Sequence, residues 1–253
     1  MIKKTIISAF SFLILGLTPS SPAFAQSVDE LILMTENYPP LNFSANGRLQ
    51  GISVDLMDAL LKKLGSRLTR HDIQLLPWAR GYATILNTRN TCLFAMTRTR
   101  EREPLFKWVG PICSSRIVLI AKKTRHIRIR SASDLWNYKI GAVRNDVGEQ
   151  LLLEKGVAKE ALEIVTLPDH NAKMLRADRI DLWACGEIVA KWVLKQNGLR
   201  PGEFTTAYVL LEGDQYIAFH RDTPDALINK FQSALDELKR QGTVKKILDT
   251  YVK

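Results

Sequence analysis

The order of apolar runs predicts an α/β protein built as two lobes around a cleft. Three observations carry that expectation. Short apolar runs such as Leu31–Thr35 and Lys139–Val143 alternate with segments of helical period. Removing residues 1–25 as a leader from the 253 leaves 228, enough for one large domain or for two lobes with cores of their own. One long run rich in Ile and Val, Ser115–Ala121, is suited to crossing from one lobe to the other.

The leader is read from its three parts. Lys3 and Lys4 supply a positive start, Ile6–Leu17 an apolar middle, and Ala23-Phe24-Ala25 a small-x-small cleavage site, so a signal peptide over 1–25 is expected, with Gln26 as the new N-terminus. Its apolar stretch is too short for a comfortable membrane span and no second long one follows, so a soluble exported protein, most simply periplasmic, is expected. No Cys stands at the cleavage site to carry a lipid.

The elements follow in order. Leu31–Thr35 reads as a first strand entering a loop, Glu36-Asn37-Tyr38-Pro39-Pro40, made rigid by its prolines. Tyr38 stands where open α/β sheets collect ligands, free to cover one, or else packs on Phe43. A turn at Ala45-Asn46-Gly47 precedes a helix with Ser53 as cap, apolar positions at Val54, Met57, Leu60, Leu61 and Leu64, and Gly65 as stop. His71–Leu76 reads as a second strand, and Pro77-Trp78-Ala79-Arg80 starts the next helix. There Trp78 and Arg80 offer an aromatic wall and a second cation, or Trp78 merely staples its helix.

Leu93-Phe94-Ala95 then breaks into Met96-Thr97-Arg98-Thr99-Arg100-Glu101-Arg102, two hydroxyls and three guanidiniums at the end of a buried strand. An arginine fork matches a carboxylate with two parallel hydrogen bonds, and a nearby hydroxyl can serve a further lone pair, so this stretch is expected to grip a small anion. The bland reading is three surface arginines partly neutralised by Glu101.

Beyond the crossing strand, Ser133 caps a short helix and Lys139–Val143 opens a new strand-helix series. Asn145 and Asp146 lead into a helix over Gln150–Lys155, whose free N–H groups attract anions although Asp146 occupies the cap. Strands are expected over Ala161–Leu167, Asp178–Ala184 and Gln215–Phe219, and helices over Asn171–Ala177, Ile188–Gln196 and Asp225–Arg240, with a last short helix after Gly242. Glu187, at a strand end, is either an acid for an ammonium or for catalysis, or a first-turn residue favoured by the helix dipole.

Charge and cysteines exclude little. The chain has 36 Lys and Arg against 26 Asp and Glu, net +10, and losing Lys3 and Lys4 leaves +8. The excess is spread along the chain, which argues against nucleic acid; only Lys122–Arg130 is dense, as a solvated connector or as a docking surface for an anionic membrane or partner. Cys92, Cys113 and Cys185 permit one disulfide or three free thiols, and no zinc spacing is present, so no metal or other cofactor is expected.

In this order the features resemble the bacterial extracellular solute-binding proteins, family 3, of the polar amino-acid transporter class. The carrying residues are Tyr38-Pro39-Pro40 with Phe43, Gly51-Ile52-Ser53-Val54-Asp55-Leu56, Thr97-x-Thr99-x-Glu101-Arg102, Asp178-Arg179-Ile180-Asp181 and the Gly242 ending. The resemblance implies a type II periplasmic binding protein fold, with lobe 1 over 26–115 and 213–253, lobe 2 over 116–212, and two crossing strands as hinge. It implies a monomer that closes on a small carboxylate-bearing ligand, an amino acid or a relative of one, and hands it to a membrane ABC permease or a sensor. Arg102 and Thr97 would hold the carboxylate, Tyr38 would cover it, and Asn145 and Asp146 fall where the second lobe contributes donors. The acid that holds the ammonium in the family falls on Gly186, a departure that leaves the ligand open. A dehydratase of small cyclic acids on the same scaffold is the alternative, with Glu187 as its acid.

Overall fold

The computed structural model describes residues 27–251, so the expected leader lies outside the described residues. In chain order the regular elements are β1 (Ile32–Thr35), β2 (Phe43–Ala45), β3 (Arg48–Gln50), α1 (Ile52–Lys63), β4 (Gln74–Leu75), α2 (Trp78–Asn87), β5 (Thr91–Thr97) and β6 (Phe106–Lys122). They continue with β7 (Ile140–Val143), α3 (Val147–Glu154), β8 (Leu162–Val165), α4 (Pro168–Arg176), β9 (Leu182–Gly186), α5 (Glu187–Gln196), β10 (Phe204–His220), α6 (Asp225–Arg240) and α7 (Thr243–Tyr251).

One eight-stranded sheet runs β4-β1-β5-β10-β6-β9-β7-β8. Its middle is the antiparallel pair β6 and β10, 17 residues each, long enough to serve two halves. β10 pairs β5 through Gln215–Phe219, whereas β6 pairs β9 through Ile117–Ile120, so each long strand builds one half and then the other. The segments Phe106–Pro111 and Ser115–Ala121 thus join into a single strand, and the return strand begins eleven residues before Gln215, at Phe204.

Alternation along β6 divides the core. Ile117, Leu119 and Ala121 face α3 and pack with Val147, Leu151 and Leu152; Val118 and Ile120 face the opposite way, in the cluster that holds Trp183 and Val189. That cluster continues into the other half, where α1 and α6 press Leu56, Leu60, Phe231 and Leu235 onto Leu33, Phe94 and Phe219. The buried positions of α6, at Leu227, Phe231, Ala234, Leu235 and Leu238, keep the helical period that the sequence displays.

Several local expectations are corrected by what tertiary contact demands. The cap of α1 is Gly51, not Ser53: its φ is +124°, and a Cβ there would stand 2.4 Å from the Leu41 carbonyl oxygen, so the close approach of the first loop admits only glycine. The short helix expected at Ser133 is a 3-10 turn over Ala132–Asn137 capped by Ser131, with Asp134 completing a capping box. His71–Leu76 yields only the two-residue β4, because Thr69 and Asp72 box a 3-10 turn over Arg70–Asp72 first. The Asn46-Gly47 turn closes a small hairpin, β2 with β3, both turn residues having positive φ. Asp146 does cap α3, accepting from the Val147 amide at 2.7 Å, which starts that helix three residues before Gln150.

The basic run after β6 is a connector with partners. Lys122 Nζ donates to the Arg176 carbonyl and to Asp178, both at 2.7 Å, Arg125 pairs with Asp181, and Ile127 and Ile129 pack against the α3-side core. All three cysteines are free thiols, with Cys92 and Cys185 buried.

Candidate ligand cleft

The parallel strands aim their carboxyl ends at one seam. β1 pairs β4 and β5 in parallel, which sets Glu36, the Trp78 helix start and Thr97 along one edge. β7 pairs β8 and β9 in parallel, which sets Asn145-Asp146 and Gly186 along the edge of the other half. Three hydrogen bonds join the edges: the Gly186 amide donates to Tyr38 Oη at 3.0 Å, Trp78 Nε1 to the Asn145 carbonyl at 2.8 Å, and Arg102 Nε to Gln150 Oε1 at 3.0 Å. The halves are therefore closed on each other.

Arg102 is the centre of this seam. It is 1% exposed, yet its guanidinium is only partly satisfied: Nη1 donates to the Thr97 carbonyl at 3.2 Å, Nε to Gln150, and Nη2 has no partner. Its carbon lies 5.2 Å from the ring centres of both Trp78 and Tyr82, which stand one helical turn apart on α2 and offer it a two-ring wall. Burial pulls Arg102 below its ordinary value, and the charges of Asp146 and Glu36 push back. A guanidinium stays ionised at any such value, so the site holds a permanent buried cation with one free donor.

The strand before it is bent to make this possible. Met96 pairs Tyr216 while Phe94 pairs Ile217, leaving Ala95 as an extra residue at φ +63°, a bulge that re-aims the last two residues of β5. Thr97, 4% exposed, accepts from Gln215 Nε2 at 2.9 Å. Of the other two arginines in the stretch, Arg98 pairs with Glu103 and lies over Trp108 and Tyr216, and Arg100 is exposed.

Two acids share the seam with Arg102. Glu36, 6% exposed, receives no hydrogen bond on its carboxylate among the described residues; burial pushes it well above the usual carboxylate range, the Asp146 charge adds to this, and Arg102 opposes it. Asp146, 8% exposed, is raised by burial and by Glu149, and lowered by Arg102 and the Val147 amide. Glu149 is committed to the Asn145 amide. Tyr38, 5% exposed, is pushed far above its ordinary value by burial and then by Asp146.

The structure therefore gathers Arg102, Thr97, Tyr38, Trp78, Asn145 and Asp146, and leaves two predicted residues outside. Arg80 is exposed on α2 rather than a second cation in the wall, since the helical turn that buries Trp78 and Tyr82 turns position 80 to solvent. Glu187 is committed to the crossing strands, its carboxylate 3.3 Å from Arg116 Nη1 and accepting from Thr206 Oγ1 at 3.1 Å. Tyr82, Gln150 and Gln215 were missed. Tyr82 follows Trp78 by four and Gln150 follows Asp146 by four, so helical spacing could have found them; Gln215 meets Thr97 only through strand register.

Gly186 explains the missing acid in physical terms. A Cβ there would stand 2.5 Å from Tyr38 Oη, so any side chain at 186 excludes the tyrosine from its bond to the 186 amide.

Residues 31–253 match the model of the bacterial extracellular solute-binding proteins, family 3. The chain is similar to the probable amino-acid-binding protein YxeM of Bacillus subtilis strain 168, 26% identical over 215 residues that are 84% of this chain and 79% of that protein. It is also similar to the arginine-binding extracellular protein ArtP of the same organism, 23% identical over 249 residues, 96% of this chain and 93% of that one. Among solved structures, an ancestral arginine-binding protein bound to arginine superposes with a TM-score of 0.75 at 25% identity, covering 90% of this chain and 100% of that one.

Proposed function

This chain belongs to the bacterial extracellular solute-binding proteins, family 3, and we propose that its two lobes close over an amino acid or a related small carboxylate and present it to a membrane permease. The observation that carries the reading is the free Nη2 donor of a buried Arg102 at the seam of two halves that already touch. A solute carboxylate takes that donor and draws the halves together, with Thr97, Tyr38 and Trp78 around it. The arginine-binding name of ArtP and the amino-acid-binding name of YxeM support the solute class.

We place lobe 1 at 26–115 and 213–253 and lobe 2 at 116–212. In the β6–β10 ladder Ser115 is opposite Gly213 and Arg116 opposite Glu212, so both boundaries fall at one level of the sheet, where a hinge needs only a few residues to turn. A periplasmic monomer released from the leader completes the reading. No helix among the described residues is long and apolar enough to cross a membrane. The enzymatic alternative required Glu187 as a free acid in the cleft, and its engagement with Arg116 and Thr206 speaks against that role.

The test is a thermal-shift screen of ligand-stripped protein against amino acids, amine-free carboxylic acids and polyamines. A true ligand at a hundred times its Kd adds about 2.7 kcal/mol. At roughly 2–4 °C per kcal/mol for a chain of this size, that raises Tm by about 5–10 °C. Arg102→Lys keeps the charge but not the fork and should lose most of the shift; an undiminished shift in this variant refutes the assignment of Arg102 to the carboxylate.

A further inference from the structure

The end of lobe 2 farthest from the cleft gathers charge that the cleft does not use. β7, β8 and β9 start there in one row, Ile140 standing opposite both Leu182 and Leu162, and run parallel toward the cleft. β6 ends at that level and β10 begins there, with Phe204 opposite Lys122. α3, α4 and α5 end at the same pole, because the chain has to come back to it to start the next strand. The four segments that meet there, 122–139, 153–163, 176–182 and 195–204, hold twelve Lys and Arg against seven Asp and Glu. Five of the eight net positive charges of residues 26–253 therefore sit at one end of the molecule.

Most of the acids at this pole are committed. Asp178 and Asp181 are taken by Lys122 and Arg125, Glu163 by Lys139 and Glu203 by Arg200, while Asp134 spends its carboxylate on the Arg130 and Ser131 amides. Glu154 lies beside Glu101, and Glu160 is exposed. Lys123, Arg128, Arg130, Arg176 and Arg179 are exposed and form no ion pair among the described residues. The preference of a helix end for cations accounts for Arg176, the last residue of α4, and for none of the connector. In the connector Ile127 and Ile129 pack on the α3-side core, which turns Arg128 and Arg130 outward.

Two further observations fall on the same pole. Trp136 is 60% exposed, the most exposed large apolar side chain among the described residues, although its neighbour Leu135 is fully buried. The capping box of Ser131 and Asp134 fixes its turn, and its ring lies beside Gly156, where an added Cβ would meet Cζ2 at 3.6 Å. Between the end of β6 and the ends of α4 and α5 lies an open groove of about 600 Å³, whose charged lining is Lys122, Lys123, Arg176, Arg200 and Glu203.

We propose that this pole docks on a membrane surface of anionic phospholipid, with the exposed cations on headgroup phosphates, the groove admitting headgroups and Trp136 entering the interface. A spread of unpaired cations around one exposed indole suits a bilayer surface, where phosphates lie in a plane and an amphipathic ring sits at headgroup level. The proposal does not depend on which solute the cleft takes. Because the strands run from this pole to the cleft, attachment leaves the cleft free to open, and it keeps an extracellular solute-binding chain close to the membrane that holds its proposed permease.

The experiment is co-sedimentation of the full mature chain with vesicles of equal parts phosphatidylglycerol and phosphatidylcholine, and with vesicles of phosphatidylcholine alone, at low and high salt. Three variants are compared with the unaltered protein: the pole triple Lys123→Gln, Arg128→Gln, Arg130→Gln; the lobe 1 triple Arg48→Gln, Lys230→Gln, Arg240→Gln, which removes the same charge from other exposed positions; and Trp136→Ala. All six glutamines replace exposed side chains, and Tm checks that each protein folds. Affinity for the phosphatidylglycerol vesicles should exceed that for phosphatidylcholine at least tenfold and fall with salt. The pole triple should lose at least tenfold and the lobe 1 triple less than threefold; Trp136→Ala should weaken binding and abolish the blue shift of tryptophan emission seen with vesicles. Equal losses in the two triples overturn the proposal, because they reduce it to the attraction of any basic chain. Absence of binding to phosphatidylglycerol vesicles overturns it as well, and binding to soluble polyphosphate without binding to vesicles assigns the pole to a free polyanion instead.

Discussion

Replacing Gly186 with Ala puts a methyl group where the Tyr38 hydroxyl stands. The new Cβ meets Tyr38 Oη at 2.5 Å, whereas Tyr38 Cζ at 3.4 Å and Val189 Cγ2 at 3.5 Å are ordinary contacts, so a single oxygen atom carries the conflict. To reach normal contact that oxygen retreats by roughly 1 Å, which breaks its 3.0 Å bond from the 186 amide. Overpacking of this kind costs about 1–3 kcal/mol. An amide left buried without a partner costs about 1–3 kcal/mol more. Both terms act on the closed form alone, because only there do Tyr38 and Gly186 meet. A combined loss of about 3 kcal/mol lowers ligand affinity by roughly a hundredfold, since affinity scales with the fraction able to close. Tyr38→Phe by itself pays only the second term. In the double variant the oxygen is gone, the methyl sits beside a ring edge at ordinary distance, and the total should fall back to that of Tyr38→Phe, a coupling of about 3 kcal/mol in a four-way cycle, equal to the whole Gly186→Ala loss. The assay is Kd by calorimetry for all four proteins, with small-angle scattering to follow compaction on binding. Additive losses refute the reasoning, because they mean that the Tyr38 hydroxyl is not over residue 186 when ligand is bound.

Three further outcomes follow from the same geometry. Gln150→Ala removes the acceptor of Arg102 Nε and leaves that nitrogen unpaired; a loss of about 1–3 kcal/mol in ligand-bound stability is expected from urea unfolding at saturating ligand. Glu154, exposed at the far end of α3, is pushed up to about 7 by partial desolvation and by Glu101 of the segment after β5. Between its ordinary value of 4.5 and about 7 the closed form holds a proton that the open form does not, so closure weakens as pH rises through that window and is flat on either side. Ligand Kd measured from pH 4 to 8 should rise across it, and Glu154→Gln should remove that component. Phe231→Ala empties the contact with Phe219, ring centres 5.0 Å apart in the buried core, and should cost about 3–5 kcal/mol in urea unfolding while leaving ligand preference unchanged.

Local pattern suffices where the interactions that decide a residue's place lie within a few residues of it. The stretch from Thr97 to Arg102 was legible as polar because an apolar strand that breaks into Thr and Arg announces a sheet edge, and it was the family motif that singled out Thr97 and Arg102 within it. The Asp146 cap and the α6 stripe were legible because caps and helical period act within one or two turns. Arg80 was misread because a cation near a strand end says nothing about which way its helix turns, and Glu187 because its partners Arg116 and Thr206 lie 71 and 19 residues away.

By itself, then, the sequence determined the α/β order, most element positions, the strand ends that carry polar groups and the absence of an acid at 186. Those are set by interactions among near neighbours: side-chain period, capping and backbone restriction. The tertiary structure decided which of Arg98, Arg100 and Arg102 is buried, that Gln215 holds Thr97 from 118 residues away, and that Tyr38 crosses 148 residues to bond the 186 amide. It also decided that Glu36, Arg102, Asp146 and Glu149 are all buried. Each of these depends on strand register and on the closing of one half upon the other, and no local pattern encodes a distance between groups that only the completed fold brings together.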